Sequence, residues 1–163
     1  MTGKEAIRTA LQSTQHVLGM YLGDLSDSDL LVRPVPGANH IAWQLGHLID
    51  SERHLLGNLP GAAFPDFPAG FSEQHKPTNA ATDPPKGFLT KGQYLELFNK
   101  TRVATLAALE KISDAELDKP NTGPLAQFAP TVGALLMLVS NHTLMHGGQF
   151  TVVRRKLGKP IVF

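Results

Sequence analysis

Histidines are the side chains of this sequence with the clearest potential for chemistry. Two of the seven, His142 and His146, stand four residues apart in the apolar stretch VGALLMLVSNHTLMHGGQFTVV. In a helix this spacing places both imidazoles on one face, about one turn apart, where they could share a metal ion. Two buried histidines that are hydrogen-bonded to other groups would show the same spacing, so the pair alone leaves both interpretations open.

A second group of histidines, His40, His47 and His54, repeats every seven residues in HIAWQLGHLIDSERH. A helix drifts only about 20° per heptad, so the three lie near one stripe, but steps of about 10.5 Å along the axis prevent them from binding one ion together. His47 is the candidate ligand because it lies in mid-helix beside Gly46, whose small size permits close approach of a neighbouring helix. His40 is expected at the start of the helix, where it can help capping. The other histidines are expected at the surface: His16, His54 and His75.

His47, His142 and His146 together form a candidate metal site. Three neutral imidazoles without sulfur suit Zn²⁺, Ni²⁺, Fe²⁺ or Mn²⁺, and three protein ligands leave coordination positions for water or substrate, as catalytic sites do. Gln149 lies seven residues after His142 on the same stripe, and it is the candidate catalytic residue, which would orient a bound molecule. An ordinary hydrogen bond between helices is the alternative for Gln149.

The composition excludes several other classes of chemistry. The 163 residues include no cysteine, which rules out a disulfide scaffold, a thiolate nucleophile and any cysteine-containing metal site. Lys+Arg 15 against Asp+Glu 14 gives a net charge of +1, so neither nucleic acid nor an anionic membrane is an expected partner. There is no glycine-rich phosphate loop, no G-x-S-x-G and no H-E-x-x-H. The chain has neither a long apolar run nor an apolar signal segment, so a cytoplasmic location is expected.

Apolar residues at spacings of three and four predict four long helices. The predicted helices are residues 4–22, 40–57, 91–112 and 131–157. Asn39 is the predicted N-cap of the second helix and Thr131 that of the fourth. No segment alternates with a period of two, so the sequence predicts an all-α protein, a four-helix bundle in a single domain over residues 1–163.

The connection between the second and third predicted helices, residues 57–90, is rich in proline and glycine. It is far longer than a turn between neighbouring helices requires. A segment of this length can cross the whole bundle, which would leave the second and third helices parallel. Its phenylalanines are expected either to cap the core or to form an apolar wall above a site.

The segments IAWQLGHLIDSE and HTLMHGGQ together resemble the DinB/YfiT-like metalloenzymes, a family unrelated to the DNA polymerase that shares the name DinB. The resemblance covers the whole domain in helix order. The family has one histidine in the second helix and an HxxxHxGQ run in the last, and this pattern falls on His47, His142, His146, Gly148 and Gln149. The resemblance implies a bundle of non-sequential topology, a divalent metal held by the three histidines, often nickel or zinc, and a homodimer formed by helix faces.

Several relatives in that family use a low-molecular-weight thiol, among them bacillithiol S-transferases and mycothiol-dependent maleylpyruvate isomerase. The resemblance therefore implies a metal-dependent enzyme that activates such a thiol and transfers it to a small electrophile, with a small-molecule substrate as its partner. The alternatives are a metal-dependent hydrolase, a non-catalytic bundle that binds a metal or a ligand, and a dimeric interaction module that holds no metal in the cell.

Overall fold

Residues 1–162 fold into four long helices and two short ones. A computed structural model describes residues 1–162. The helices are α1 (Gly3–Leu22), α2 (Ile41–Leu56), α3 (Phe71–Gln74), α4 (Lys91–Lys111), α5 (Asp114–Leu117) and α6 (Val132–Lys156), with 3₁₀ turns at Asp29–Leu31 and Pro77–Asn79. Within residues 1–162 the only β-type pairing is an isolated bridge between Pro120 and Thr131. The predicted all-α class is therefore confirmed. Phe163, the last residue of the predicted domain, lies outside the described residues.

Side-chain caps fix the starts of the long helices. α1, α4 and α6 each begin after a threonine whose hydroxyl oxygen accepts a hydrogen bond from the first turn: Thr2, Thr90 and Thr131. α2 is capped instead by an imidazole, because Nδ1 of His40 accepts from the backbone N–H of Trp43 at 3.1 Å. The prediction of Asn39 as the cap is wrong by one residue, whereas the capping role expected for His40 is confirmed.

The second and third long helices, α2 and α4, run parallel. Near the middle of α2, Gly46 lies against the ring of His75, and His75 bonds to Tyr94 in the first turn of α4. Six residues further along α2, Glu52 bonds to Arg102, eight residues further along α4. The crossover predicted from the length of the connection is therefore confirmed. α1 and α2 each pack against both α4 and α6, so the bundle is non-sequential.

A buried ion pair lies at the centre of the bundle and fixes the register of its helices. Arg102 donates two hydrogen bonds to the carboxylate of Glu52, each 3.0 Å long. The guanidinium also reaches the carbonyl of Leu11 on α1 at 2.7 Å and the hydroxyl of Thr143 on α6 at 3.1 Å. Because a shift of any of these helices would leave a buried charge without its partner, the network specifies one arrangement.

Aromatic side chains anchor the crossover, residues 57–90, to the hydrophobic core. Phe71 is buried in the core, and Phe67 and Phe88 pack against the same cluster. The phenylalanines of this segment thus contribute to the core, as the first of the two sequence alternatives expected.

His75 was predicted at the surface, and this prediction is wrong, because only 1% of the side chain is exposed. Its Nδ1 lies 2.7 Å from the carbonyl oxygen of Phe71, and its Nε2 lies 2.8 Å from the hydroxyl oxygen of Tyr94. A Cβ atom on Gly46 would come within 2.1 Å of the His75 ring. Gly46 is therefore required to admit this imidazole from the crossover, rather than to admit a neighbouring helix.

Candidate metal centre

The three histidines singled out in the sequence lie together between α2 and α6. Their ligand nitrogens are all within 4.8 Å of one another. Nε2 of His146 and Nε2 of His142 face each other at 3.1 Å. The ring of His47 lies edge-on to both, with centroid distances of 5.1 Å to His142 and 5.4 Å to His146. We call these three residues the histidine cluster.

The bundle topology explains why the cluster forms. The i,i+4 spacing puts His142 and His146 on one face of α6. α2 and α6 run antiparallel, because Gln44 contacts His146 whereas Leu55, near the end of α2, shares a cleft with Leu135, near the start of α6. The register of α2 against α6 therefore places His47 at the same height along the bundle as His142 and His146.

The donor set and its spacing fit one divalent ion. Imidazole nitrogens bind Zn²⁺ at about 2.0–2.1 Å, so two ligands in a tetrahedral arrangement lie about 3.4 Å apart. The nitrogens of the histidine cluster bracket this separation. His47 and His142 are only half-buried, so solvent-borne molecules can reach the cluster.

A buried glutamine sets the protonation of His146. The side-chain amide of Gln44 donates from Nε2 to the backbone carbonyl of Asn39 at 2.9 Å, so its Oε1 is the atom that faces His146. Oε1 lies 2.8 Å from Nδ1 of His146. Since an amide oxygen only accepts, Nδ1 carries the proton, and Nε2 presents its lone pair to His142 and to a metal.

The indole of Trp43 packs on the third histidine of the cluster, His47. It stacks on the His47 ring with a centroid distance of 4.9 Å and an angle of 8° between the planes. The side chain is 4% exposed, and its Nε1 is buried without a hydrogen-bond partner among residues 1–162. Such an unpaired buried donor is uncommon in folded proteins.

Burial keeps the cluster neutral. It lowers the pKa of His142 to about 4, with a smaller contribution from the charge of His47. It lowers the pKa of His146 to about 3, helped by the charges of His142 and His47. The pKa of His47 is also lowered by burial, against a weaker opposing effect of Asp50. Neutral imidazole is the form that binds metals, so the site is prepared for one at neutral pH.

Gln149, the candidate catalytic residue, is exposed on α6 three residues after His146. The glutamine that bonds to the cluster is Gln44, which the sequence reasoning missed. A buried amide within the apolar run IAWQLGHL, three residues before a candidate ligand, was the available signal. His16 and His54 are exposed, as predicted.

The structure thus defines an all-α bundle with a parallel crossover and three imidazoles that could hold a metal ion. The family model of the DinB superfamily matches residues 10–150. The chain therefore belongs to the DinB superfamily.

A solved structure shows the same fold. The crystal structure of a conserved protein of locus from Enterococcus faecalis aligns with a TM-score of 0.67 and 16% sequence identity, and the alignment covers 98% of this chain and 99% of that one. No curated protein matches the chain. Among the described residues, no helix combines the length and the apolar character needed to cross a membrane.

Proposed function

We propose that this protein is a divalent-metal-dependent enzyme that transfers a low-molecular-weight thiol to a small electrophile. The observation that carries the proposal is the convergence of three imidazole nitrogens at a half-buried site. His47, His142 and His146 are the proposed ligands, and the ion would be Ni²⁺, Zn²⁺, Fe²⁺ or Mn²⁺. The family resemblance supports the choice of a thiol. A cytoplasmic location is part of the proposal, since that compartment keeps thiols reduced.

The residues around the cluster have separate parts in this proposal. Gln44 holds His146 in the tautomer that binds a metal. Trp43 fixes the plane of the His47 ring and excludes water from one side of it. Gln149 is exposed near the cluster and is proposed to hydrogen-bond the bound substrate. A metal at this site would supply Lewis acidity, which lowers the pKa of a coordinated thiol.

The reaction exchanges one bond for another. The sulfur uses a lone pair to form a bond with the electrophilic carbon, while the bond from that carbon to its leaving group breaks and the leaving group departs with the electron pair. The thiol proton passes to solvent. Neither substrate is oxidised or reduced, so no further co-reactant is needed.

The test requires protein that carries no polyhistidine tag, because a tag binds the same ions. Metal content by mass spectrometry should approach one ion per chain, and the loaded protein should couple a thiol panel to monochlorobimane. His142→Ala should lose both properties, whereas His16→Ala, at an exposed position, should keep both. Equal coupling rates with and without metal would overturn the proposal, and hydrolytic activity without thiol transfer would favour the hydrolase alternative.

A homodimer through α6 is a second part of the proposal. Leu144, Met145 and Val152 are large apolar side chains with exposed fractions of 47%, 64% and 46% on one face of α6. A Cβ on Gly148, on the same face, would meet no atom within 4 Å. This apolar face with a small residue at its centre suits packing against a second copy of itself about a two-fold axis.

Sedimentation equilibrium should give twice the mass of one chain at micromolar concentration. Met145→Glu should produce monomers, while Val103→Glu, at an apolar residue of α4 that is 63% exposed, should not. Sedimentation of the wild-type protein only as a single chain would contradict the proposed dimer.

A further inference from the structure

We propose that a cleft beside the histidine cluster is the subsite for the non-reacting tail of the substrate, and that this tail is uncharged. The cleft has a volume of about 380 Å³ and lies between the end of α2, the start of α6 and the loop at 120–125. This volume is within the range of small-molecule sites in proteins. The inference rests on the proposed function, and it adds to it the chemical class of the substrate.

Helix register connects the cleft to the cluster. His54 lines the cleft and lies seven residues after His47 on α2, which is about 10.5 Å along the helix axis on the same stripe. Leu135 lines the opposite wall and lies seven residues before His142 on α6. Because α2 and α6 are antiparallel, both steps lead in the same direction. Both walls of the cleft therefore lie about two helical turns from the cluster, on the faces of α2 and α6 that carry its histidines.

The lining of the cleft indicates what it binds. Leu55, Val132 and Leu135 form an apolar wall. On the polar side, the side chains of Asn58 and Thr122 make no hydrogen bond within residues 1–162 and are free to bond to a ligand.

Among residues 1–162, no lysine, arginine, aspartate or glutamate lines the cleft. A carboxylate or phosphate placed there would lose water, and the one basic side chain of the lining, His54, is itself exposed to solvent rather than buried against the ligand. The cleft therefore fits a neutral tail that has an apolar segment of about 10 Å and ends in an amide or hydroxyl group.

Octanamide is a suitable probe, because it has the neutral head and the apolar length but no thiol. Titrated into the ¹⁵N-labelled full chain, it should shift the backbone amide signals of Asn58, Thr122 and Gly123. Octanoate, which has the same length and a charged head, should bind at least about tenfold more weakly. Thr122→Trp fills the cleft from an exposed position and should abolish the shifts, whereas Val103→Trp adds the same indole on the outer face of α4 and should not.

The same variants separate this inference from the proposed function. Thr122→Trp should keep its full metal content, and His142→Ala should lose metal yet still bind octanamide in the cleft. An eight-carbon mercaptoalkanamide should bind the metal-loaded wild type at least about tenfold more tightly than octanamide, and this gain should vanish in His142→Ala. Octanamide shifts that persist in Thr122→Trp, that lie elsewhere, or that octanoate reproduces at equal concentration would overturn the subsite, whatever the metal analysis shows.

Discussion

His146 and His75 are both buried imidazoles whose pKa is lowered by burial, yet their nitrogens face different groups. Both nitrogens of His75 are used by the protein, one by the carbonyl of Phe71 and one by the hydroxyl of Tyr94. His146 has one nitrogen bonded to Gln44, while the other faces a second imidazole nitrogen. Burial is therefore common to a structural histidine and to one that could hold a metal ion, and the partner of the second nitrogen distinguishes them.

The largest expected effect is the loss of metal from the histidine cluster. His142→Ala removes a ligand, and we expect metal affinity by isothermal titration to fall by more than about 100-fold, the upper range for changes outside the ligand set. Zn²⁺ or Ni²⁺ should raise the melting temperature of the wild type and not that of the variant. His75→Ala should leave metal affinity unchanged. An equal loss of metal affinity in this variant would contradict the distinction between a structural role for His75 and a metal-binding role for the cluster.

His75→Ala should act on stability instead. The change removes one hydrogen bond each from the hydroxyl of Tyr94 and the carbonyl of Phe71 and opens a cavity, so the free energy of unfolding should fall by about 2–4 kcal/mol in a denaturant titration. Gly46→Ala should also destabilise the fold, because its Cβ would collide with the His75 ring. The double variant should be less destabilised than the two single changes add up to, whereas strict additivity would show that the ring is not the obstacle.

A third buried histidine, His40, should make the stability of the folded chain depend on pH. Burial lowers its pKa to about 4 in the folded chain, against 6.5 for the ordinary side chain. The stability that neutral His40 gives the folded chain is present above pH 6.5 and is lost as the pH falls towards 4. In that window the unfolded chain binds a proton at His40 and the folded chain does not. The metal-free protein should lose about 2 kcal/mol of stability from this residue between pH 6.5 and 5. His40→Asn keeps a capping side chain and should reduce the slope, while His142 and His146, whose pKa values are also lowered by burial, should maintain the remainder; an unchanged slope would exclude His40 as one of its sources.

A smaller effect is expected at Gln44, which hydrogen-bonds to the histidine cluster but is not one of the proposed ligands. Gln44→Leu removes the acceptor that orients His146, and metal affinity should fall by about tenfold. Gln44→Glu retains an oxygen acceptor at that position and should restore most of the affinity. Equal losses in both variants would indicate that Gln44 acts by packing alone.

The smallest change in metal binding is expected at Gln149. Since the side chain is exposed, Gln149→Ala should leave metal content and stability unchanged. The rate of thiol transfer should fall by about tenfold if the amide holds the substrate. An unaltered rate would show that Gln149 is an ordinary surface residue with no part in thiol transfer.

The sequence was most informative where a periodic pattern exists. The apolar spacing predicted the four long helices to within a few residues, and the same periodicity placed His47, His142 and His146 on faces that could meet. The parallel order of α2 and α4 followed from the length of their connection.

The pattern was uninformative in the crossover, where His75 stands alone among prolines and glycines. Its burial depends on Gly46 and Tyr94, which are 29 and 19 positions away in the sequence. Gln44 was missed for a similar reason, because its role depends on a carbonyl and an imidazole that only the folded chain brings to it.

Trp43 has a consequence for observing this molecule in solution. It is the only tryptophan of the chain, and its ring is stacked on that of His47. All indole emission therefore originates in contact with one proposed ligand of the metal. Paramagnetic Co²⁺ or Ni²⁺ bound there should quench this fluorescence, whereas diamagnetic Zn²⁺ should displace them and restore it. Trp43 fluorescence thus offers an optical test of metal binding at the cluster, which requires neither a label nor a substrate.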